Sequence, residues 1–264
     1  MTYDGGVRRL LEIALLLVAL ADLATIVVTA ATLEPRTSLA YDRYLDEAKR
    51  EFVARVREAP VGSTRDGEVS VRPARQDGII GLPGGLVHHW IGSTFVRGVT
   101  LRQAIDASTD YARYSAVYKP VIASRVLAHE GDTYRVQMRL RQSGGGISAT
   151  LDVRSTVRYV YPTSRTAYSI SDAEEIREVD NAGKPDERLL PAGNDSGYLW
   201  RANTLSYLLE RGDGLYIELE TIGLSRPFPT LLAWFIEPIA RRVGRTSVEN
   251  SLREFTSVLK PVRP

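Results

Sequence analysis

The sequence has no cysteine, which excludes a disulfide framework, thiolate metal ligation and a cysteine nucleophile. It has no excess of charge of one sign: 34 basic residues stand against 32 acidic ones, and no basic block with interleaved aromatics occurs. Nucleic acid is therefore not an expected partner. No nucleophile elbow, phosphate-binding glycine loop, zinc motif or calcium loop is present. Gly144-Gly145-Gly146 lacks a following Lys-Ser and reads as a hairpin turn. The histidines are few, and His88 and His89 are adjacent in a strand-like stretch, so their side chains point to opposite faces and cannot chelate one metal together. No metal, cofactor or catalytic residue is expected. What the chain does have is 44% hydrophobic residues, enough for one large globular core or two small ones.

The N-terminus suggests export. Arg8 and Arg9 precede an apolar run over residues 10–33, and Val28-Thr29-Ala30 supplies small residues suited to cleavage. Glu12 and Asp22 interrupt the run, each costing a few kcal/mol in a bilayer, although about 20 apolar residues suffice to cross one. Residues 1–31 are thus expected to be a signal peptide or an inner-membrane anchor, with a soluble amphipathic helix as the alternative. The expected location is periplasmic or secreted, or anchored in the inner membrane.

Thr37 can cap a helix over 37–60, whose Tyr41, Leu45, Ala48, Phe52 and Val56 recur at helical spacing. Residues 61–85 turn rich in Gly, Pro, Arg, Asp and Ser and read as a linker or lead-in with short extended pieces at Val69, Val71, Ile79 and Ile80. A first strand spans 86–97. Thr100 and Gln103 form a capping box that opens one or two short helices up to Pro120. Six strands follow without a further helix. In the clearest, Tyr134, Val136, Met138 and Leu140 alternate with Arg135, Gln137, Arg139 and Arg141. Gly212-Asp213-Gly214 gives a tight hairpin. The last pattern is helical again: Leu232, Ile236, Ile239, Ala240 and Val243 form one stripe and Val248, Leu252, Phe255 and Leu259 another. A phase slip at Gly244, with Pro238 upstream, predicts two pieces or one bent helix.

This order resembles the START-like (SRPBCC) helix-grip superfamily, which includes polyketide cyclases, pollen-allergen-like proteins and coenzyme-Q-binding proteins. The resemblance covers roughly residues 86–260 and lies in element order. The stretches Gly84-Gly85-Leu86-Val87-His88-His89-Trp90, Gly214-Leu215-Tyr216-Ile217-Glu218 and Trp234-Phe235-Ile236-Glu237-Pro238-Ile239 look like exported bacterial members. It implies an α+β fold in which a curved seven-stranded antiparallel sheet wraps a long C-terminal helix, enclosing an elongated apolar pocket. A hydrophobic small molecule or lipid is then the expected partner.

Candidate pocket residues follow from strand parity and aromatic character. His89 shares a face with Ile91 and Phe95 and could enter the pocket, or could be a satisfied structural histidine. Trp90, Tyr111, Tyr114, Tyr168, Trp200, Trp234 and Phe235 can offer apolar bodies with polar tips, and Asn203 can supply polar anchoring, although core packing explains much of this set equally well. Glu218 and Glu220 share a strand face and could be an acid/base pair, but read first as salt-bridge partners directed away from the pocket. Three functions compete: a non-enzymatic carrier, a cyclase- or hydratase-type enzyme using His89 with a tyrosine, and an envelope protein-interaction module.

Overall fold

A computed structural model describes residues 31–58, 65–144, 147–230 and 232–259. The apolar run up to residue 30, and with it nearly all of the expected signal peptide or anchor, lies outside the described residues. Among those described, no helix is long and apolar enough to cross a membrane.

A two-residue strand β1 (Ala31–Thr32) leads into helix α1 (Pro35–Glu58). Thr37 does not cap this helix; it sits in the first turn, where its hydroxyl donates to the Pro83 carbonyl at 2.7 Å. Next come β2 (Ser70–Pro73), β3 (Ile79–Leu82) and the long β4 (Gly85–Arg97). The glycine- and proline-rich lead-in thus contributes two short strands, both paired with β4. Helix α2 (Leu101–Thr109) carries the expected capping box on Thr100 and Gln103. A 3-10 turn (Tyr111–Arg113) and α3 (Tyr114–Val117) follow it.

The remaining strands are β5 (Val121–Glu130), β6 (Thr133–Gly144), β7 (Ile147–Thr163), β8 (Thr166–Asp180), the short β9 (Arg188–Leu189) and β10 (Asn194–Asp195), then β11 (Arg201–Arg211) and β12 (Gly214–Ser225). Helix α4 (Ala233–Val258) closes the chain as one continuous element with Pro238 inside its second turn. The phase slip at Gly244 therefore does not divide it.

Among the described residues the main sheet has ten strands, and its seven long ones run in the order β4-β12-β11-β8-β7-β6-β5, each pair antiparallel. Helices inserted after β4, a meander that returns to pair its last strand with β4, and a closing helix give the helix-grip arrangement that the sequence resemblance implies.

Helices cover both faces of the sheet. On the inner face α4 packs against β4, β2 and β12, with Val248, Leu252 and Phe255 buried beside Trp90, Leu215 and Ile217. On the outer face α1 lays Tyr41, Leu45, Ala48 and Phe52 against Val87, Leu205, Ile222 and Leu224. Each buried Val, Leu, Ile or Phe among them contributes about 1.5–3 kcal/mol.

Gly92 is a point of close approach to α4: a Cβ there would lie 2.5 Å from Val248 Cγ1 and 2.8 Å from Leu252 Cδ1. The smallest residue lets the helix seat on the strand. Gly92→Val is therefore expected to lower stability by about 1–3 kcal/mol, seen as a lower urea midpoint with an unchanged slope.

Candidate ligand-binding face

Strand register assembles the centre of the inner face. One row across the sheet reads Trp90, Thr221, Thr204, Ser171, Val157 and Tyr134. The next reads Gly92, Leu219, Ser206, Ser169 and Tyr159. The floor is therefore made of short hydroxylated side chains over three adjacent strands. Among the described residues, the hydroxyls of Ser169, Ser171, Thr204, Ser206 and Thr221 have no hydrogen-bond partner, yet none is sealed in. Each is reachable by water, since a hydroxyl left unpaired out of contact with solvent would be costly. Thr94, one row away and 1% exposed, shows the contrast: its hydroxyl is enclosed and unpaired.

Apolar walls frame this floor. Val248, Leu252 and Phe255 of α4 stand on the β4 flank, and Leu101 and Ala104 of α2 cover Ala167 and Leu208 at one end. At the other end Leu199 packs with Leu151, Val153, Ile176 and Ala202. The β6–β7 flank carries a tyrosine cluster in which Tyr111 lies 4.9 Å from Tyr114 and 5.3 Å from Tyr134, ring centre to ring centre. The Tyr111 and Tyr159 hydroxyls are 3.1 Å apart, and those of Tyr114 and Tyr159 both donate to the Ser108 carbonyl. Burial pushes the ionisation of Tyr111 and Tyr114 far above the ordinary phenol range, so both act as neutral hydrogen-bonding groups. Two hollows formed by described residues, of about 470 and 370 Å³, are open to the surface and lie elsewhere.

His88 also points to the inner face, 2.8 Å from the Ser225 hydroxyl, and burial lowers its pKa to about 4. Between pH 6.5 and 4 the unfolded chain binds a proton at this position that the folded chain refuses. Stability must then fall as pH drops through that window, by at most about 3.4 kcal/mol. His88→Gln is expected to flatten this part of the profile, measured as urea midpoints against pH.

His89 occupies the opposite face. Its ring is 1% exposed beneath α1, with Nδ1 2.7 Å from the Tyr44 hydroxyl and Nε2 2.5 Å from Glu220 Oε1. A neutral imidazole with its proton on Nε2 satisfies both contacts, accepting from Tyr44 and donating to Glu220. Burial in turn raises the Tyr44 hydroxyl to about 12. Glu220 also pairs with Arg55 of α1, which reaches Glu218 at 3.3 Å. Glu218 and Glu220 do form salt bridges, but as buried clamps on a helix. Histidine, carboxylate and tyrosine here make a closed structural chain that no substrate on the inner face can reach.

The sequence-derived candidates separate accordingly. Trp90, Tyr111 and Tyr114 lie on the inner side, at the edges of the hydroxyl floor. His89, Tyr168, Trp200 and Asn203 belong to the outer side, where α1 packs. Tyr168 meets Phe52 edge-on at 5.9 Å, Trp200 joins the cluster under α1, and Asn203 accepts from the Tyr41 hydroxyl at 2.7 Å. Trp234 and Phe235 stand 77% and 53% exposed at the start of α4. The five floor hydroxyls escaped the sequence reading, although Ser169 and Ser171 alternate with Tyr168 and Ile170. Among the described residues no group of three metal-ligating side chains occurs.

No protein-family model matches the chain, and no match appears among curated proteins. Solved structures of similar shape include a STAR-related lipid transfer protein from Xanthomonas axonopodis, 15% identical over 67% of this chain and 98% of that one, at a TM-score of 0.42. A START superfamily protein from Mycobacterium smegmatis is 10% identical over 64% and 96%, at 0.41. A Streptomyces aromatase/cyclase is 12% identical over 65% and 91%, at 0.40. Likeness at this level carries nothing about ligand or activity; the strand order above is what defines the fold.

Proposed function

We propose that this domain binds or carries a hydrophobic small molecule or lipid on the inner face of the sheet. The observation that carries the reading is the floor of five unpartnered, reachable hydroxyls framed by apolar walls. A site of this composition suits an amphipathic guest: the walls take up apolar surface at about 25 cal/mol per Å², and the hydroxyls satisfy a few polar groups and fix orientation. The signal-like N-terminus supports a location outside the cytoplasm. Titrating an environment-sensitive acyl fluorophore into delipidated protein tests the reading. A saturable, blue-shifted signal at one equivalent is expected, and a linear, unsaturable response would overturn it.

The cyclase- or hydratase-type alternative loses its carrier, because His89 is turned away from the inner face and enclosed under α1. The protein-interaction alternative has one observation in its favour. Edge strand β5 presents Ile122, Val126 and Leu127, each 43–44% exposed, and an unpaired edge of that kind invites a partner strand.

A further inference from the structure

The start of α4 carries an apolar surface that the fold leaves uncovered. Trp234 and Phe235 contact each other edge-on at 5.9 Å and are the two most exposed aromatic side chains among the described residues, at 77% and 53%. Val243, two turns on, is 43% exposed. The helix seats itself on the sheet through Val248, Leu252 and Phe255 in its second half.

Cationic residues stand beside this surface. Along the same half of the helix come Arg241, Arg242 and Arg245. Arg241 is held by Asp77 and Glu237, whereas Arg242 and Arg245 are exposed and make no ion pair among the described residues. Aromatic rings beside free arginines on one helix match a membrane interface, where rings sink to the acyl boundary and guanidinium groups meet anionic headgroups.

A second observation, from the other end of the chain, points to the same place. The described chain begins at Ala31, at the end of the apolar run, and its position is fixed because β1 pairs with β10. Ala31 and Thr32 line a hollow together with Arg226, Pro227 and Pro229. Trp234 lies five positions after Pro229, at most about 18 Å of chain, and a turn closed by the Leu232 amide on the Pro229 carbonyl shortens that reach. The apolar run therefore enters the domain beside the segment that carries the exposed aromatics.

We infer that the start of α4 docks on an anionic lipid surface, with Trp234 and Phe235 inserted and Arg242 and Arg245 on headgroups. The docking does not depend on what the inner face binds, and it is tested without any ligand.

The chain has three tryptophans, of which Trp90 and Trp200 are buried at 6% and 5% exposure, so iodide quenching of the full chain reports on Trp234. The experiment reconstitutes the full chain into phosphatidylcholine vesicles with and without phosphatidylglycerol. Iodide quenching is expected to fall roughly threefold or more in the anionic vesicles, with quenching by brominated acyl chains appearing in its place. Trp234→Phe should abolish both signals. Arg242→Glu with Arg245→Glu should restore iodide access without altering near-ultraviolet circular dichroism, as should high salt. Iodide access in anionic vesicles equal to that in neutral ones overturns the proposal. So does failure of the full chain to associate with vesicles, or brominated-lipid quenching that survives Trp234→Phe.

Discussion

Glu220→Ala is expected to destabilise the protein by about 3–5 kcal/mol, the largest single effect that the structure implies. Glu220 is 1% exposed and joins three elements: it belongs to β12, accepts from His89 of β4 and pairs with Arg55 of α1. Truncation leaves the buried Nε2–H of His89 without an acceptor and a half-buried guanidinium facing only Glu218. The missing acceptor alone costs about 1–3 kcal/mol. Because Arg55 reaches the network from α1, the loss should appear first as undocking of that helix, with faster hydrogen exchange over Tyr41–Phe52 than over β12. Arg55→Met should cost less, since Glu220 keeps His89 and the Arg55 side chain is already a quarter exposed. A urea-derived loss below about 1 kcal/mol for Glu220→Ala would show that the network is not what holds α1.

The second large effect concerns binding. Thr204 and Ser171 are register neighbours on β11 and β8, and neither hydroxyl is engaged. Replacing both by leucine fills the space above the floor and removes two polar anchors, while branched aliphatic side chains remain compatible with a strand. Ligand occupancy is expected to drop at least about tenfold, corresponding to about 1.4 kcal/mol or more, with stability unchanged or slightly raised. Asn203→Leu, one residue along on the outer face, should do the reverse. It should leave occupancy unchanged and lower stability by about 1–3 kcal/mol, because Asn203 bonds Tyr41 at 2.7 Å and Asp172 at 2.5 Å. If the two variants behaved alike, the division of the sheet into a binding face and a helix-docking face would be wrong.

That division is also where the sequence stops being informative. The alternation in β6, the capping box at Thr100 and the Val248, Leu252, Phe255 stripe each encode their own element, so strand order and the closing helix could be read directly. Period-two alternation says that two faces differ; it does not say which one a ligand meets. In most one-sided sheets the apolar face is the enclosed one, and that expectation put His89, Tyr168 and Asn203 with the pocket. Here α1 covers the more apolar outer face, and the inner face has Ser and Thr at its centre. The signal was present in Ser169-Ile170-Ser171, but it reads as an ordinary solvated face until α1 is known to occupy the other side. The partners of Glu220 were equally illegible, because Arg55 lies 165 residues away on a helix whose docking only the tertiary structure specifies. The lead-in strands β2 and β3 were legible as short extended pieces around Val71 and Ile79-Ile80, but not their partner: four residues carry too short a pattern to specify pairing, and β4 imposes it.

The most direct test of the ligand-binding reading is native mass spectrometry of the protein as purified, set beside the Ser171→Leu/Thr204→Leu variant prepared in the same way. The account predicts an extractable amphipathic species on the wild-type chain at near one equivalent and its loss from the variant. A wild-type chain with no bound species that also fails to take up an acyl probe, or equal occupancy in the two proteins, would contradict it.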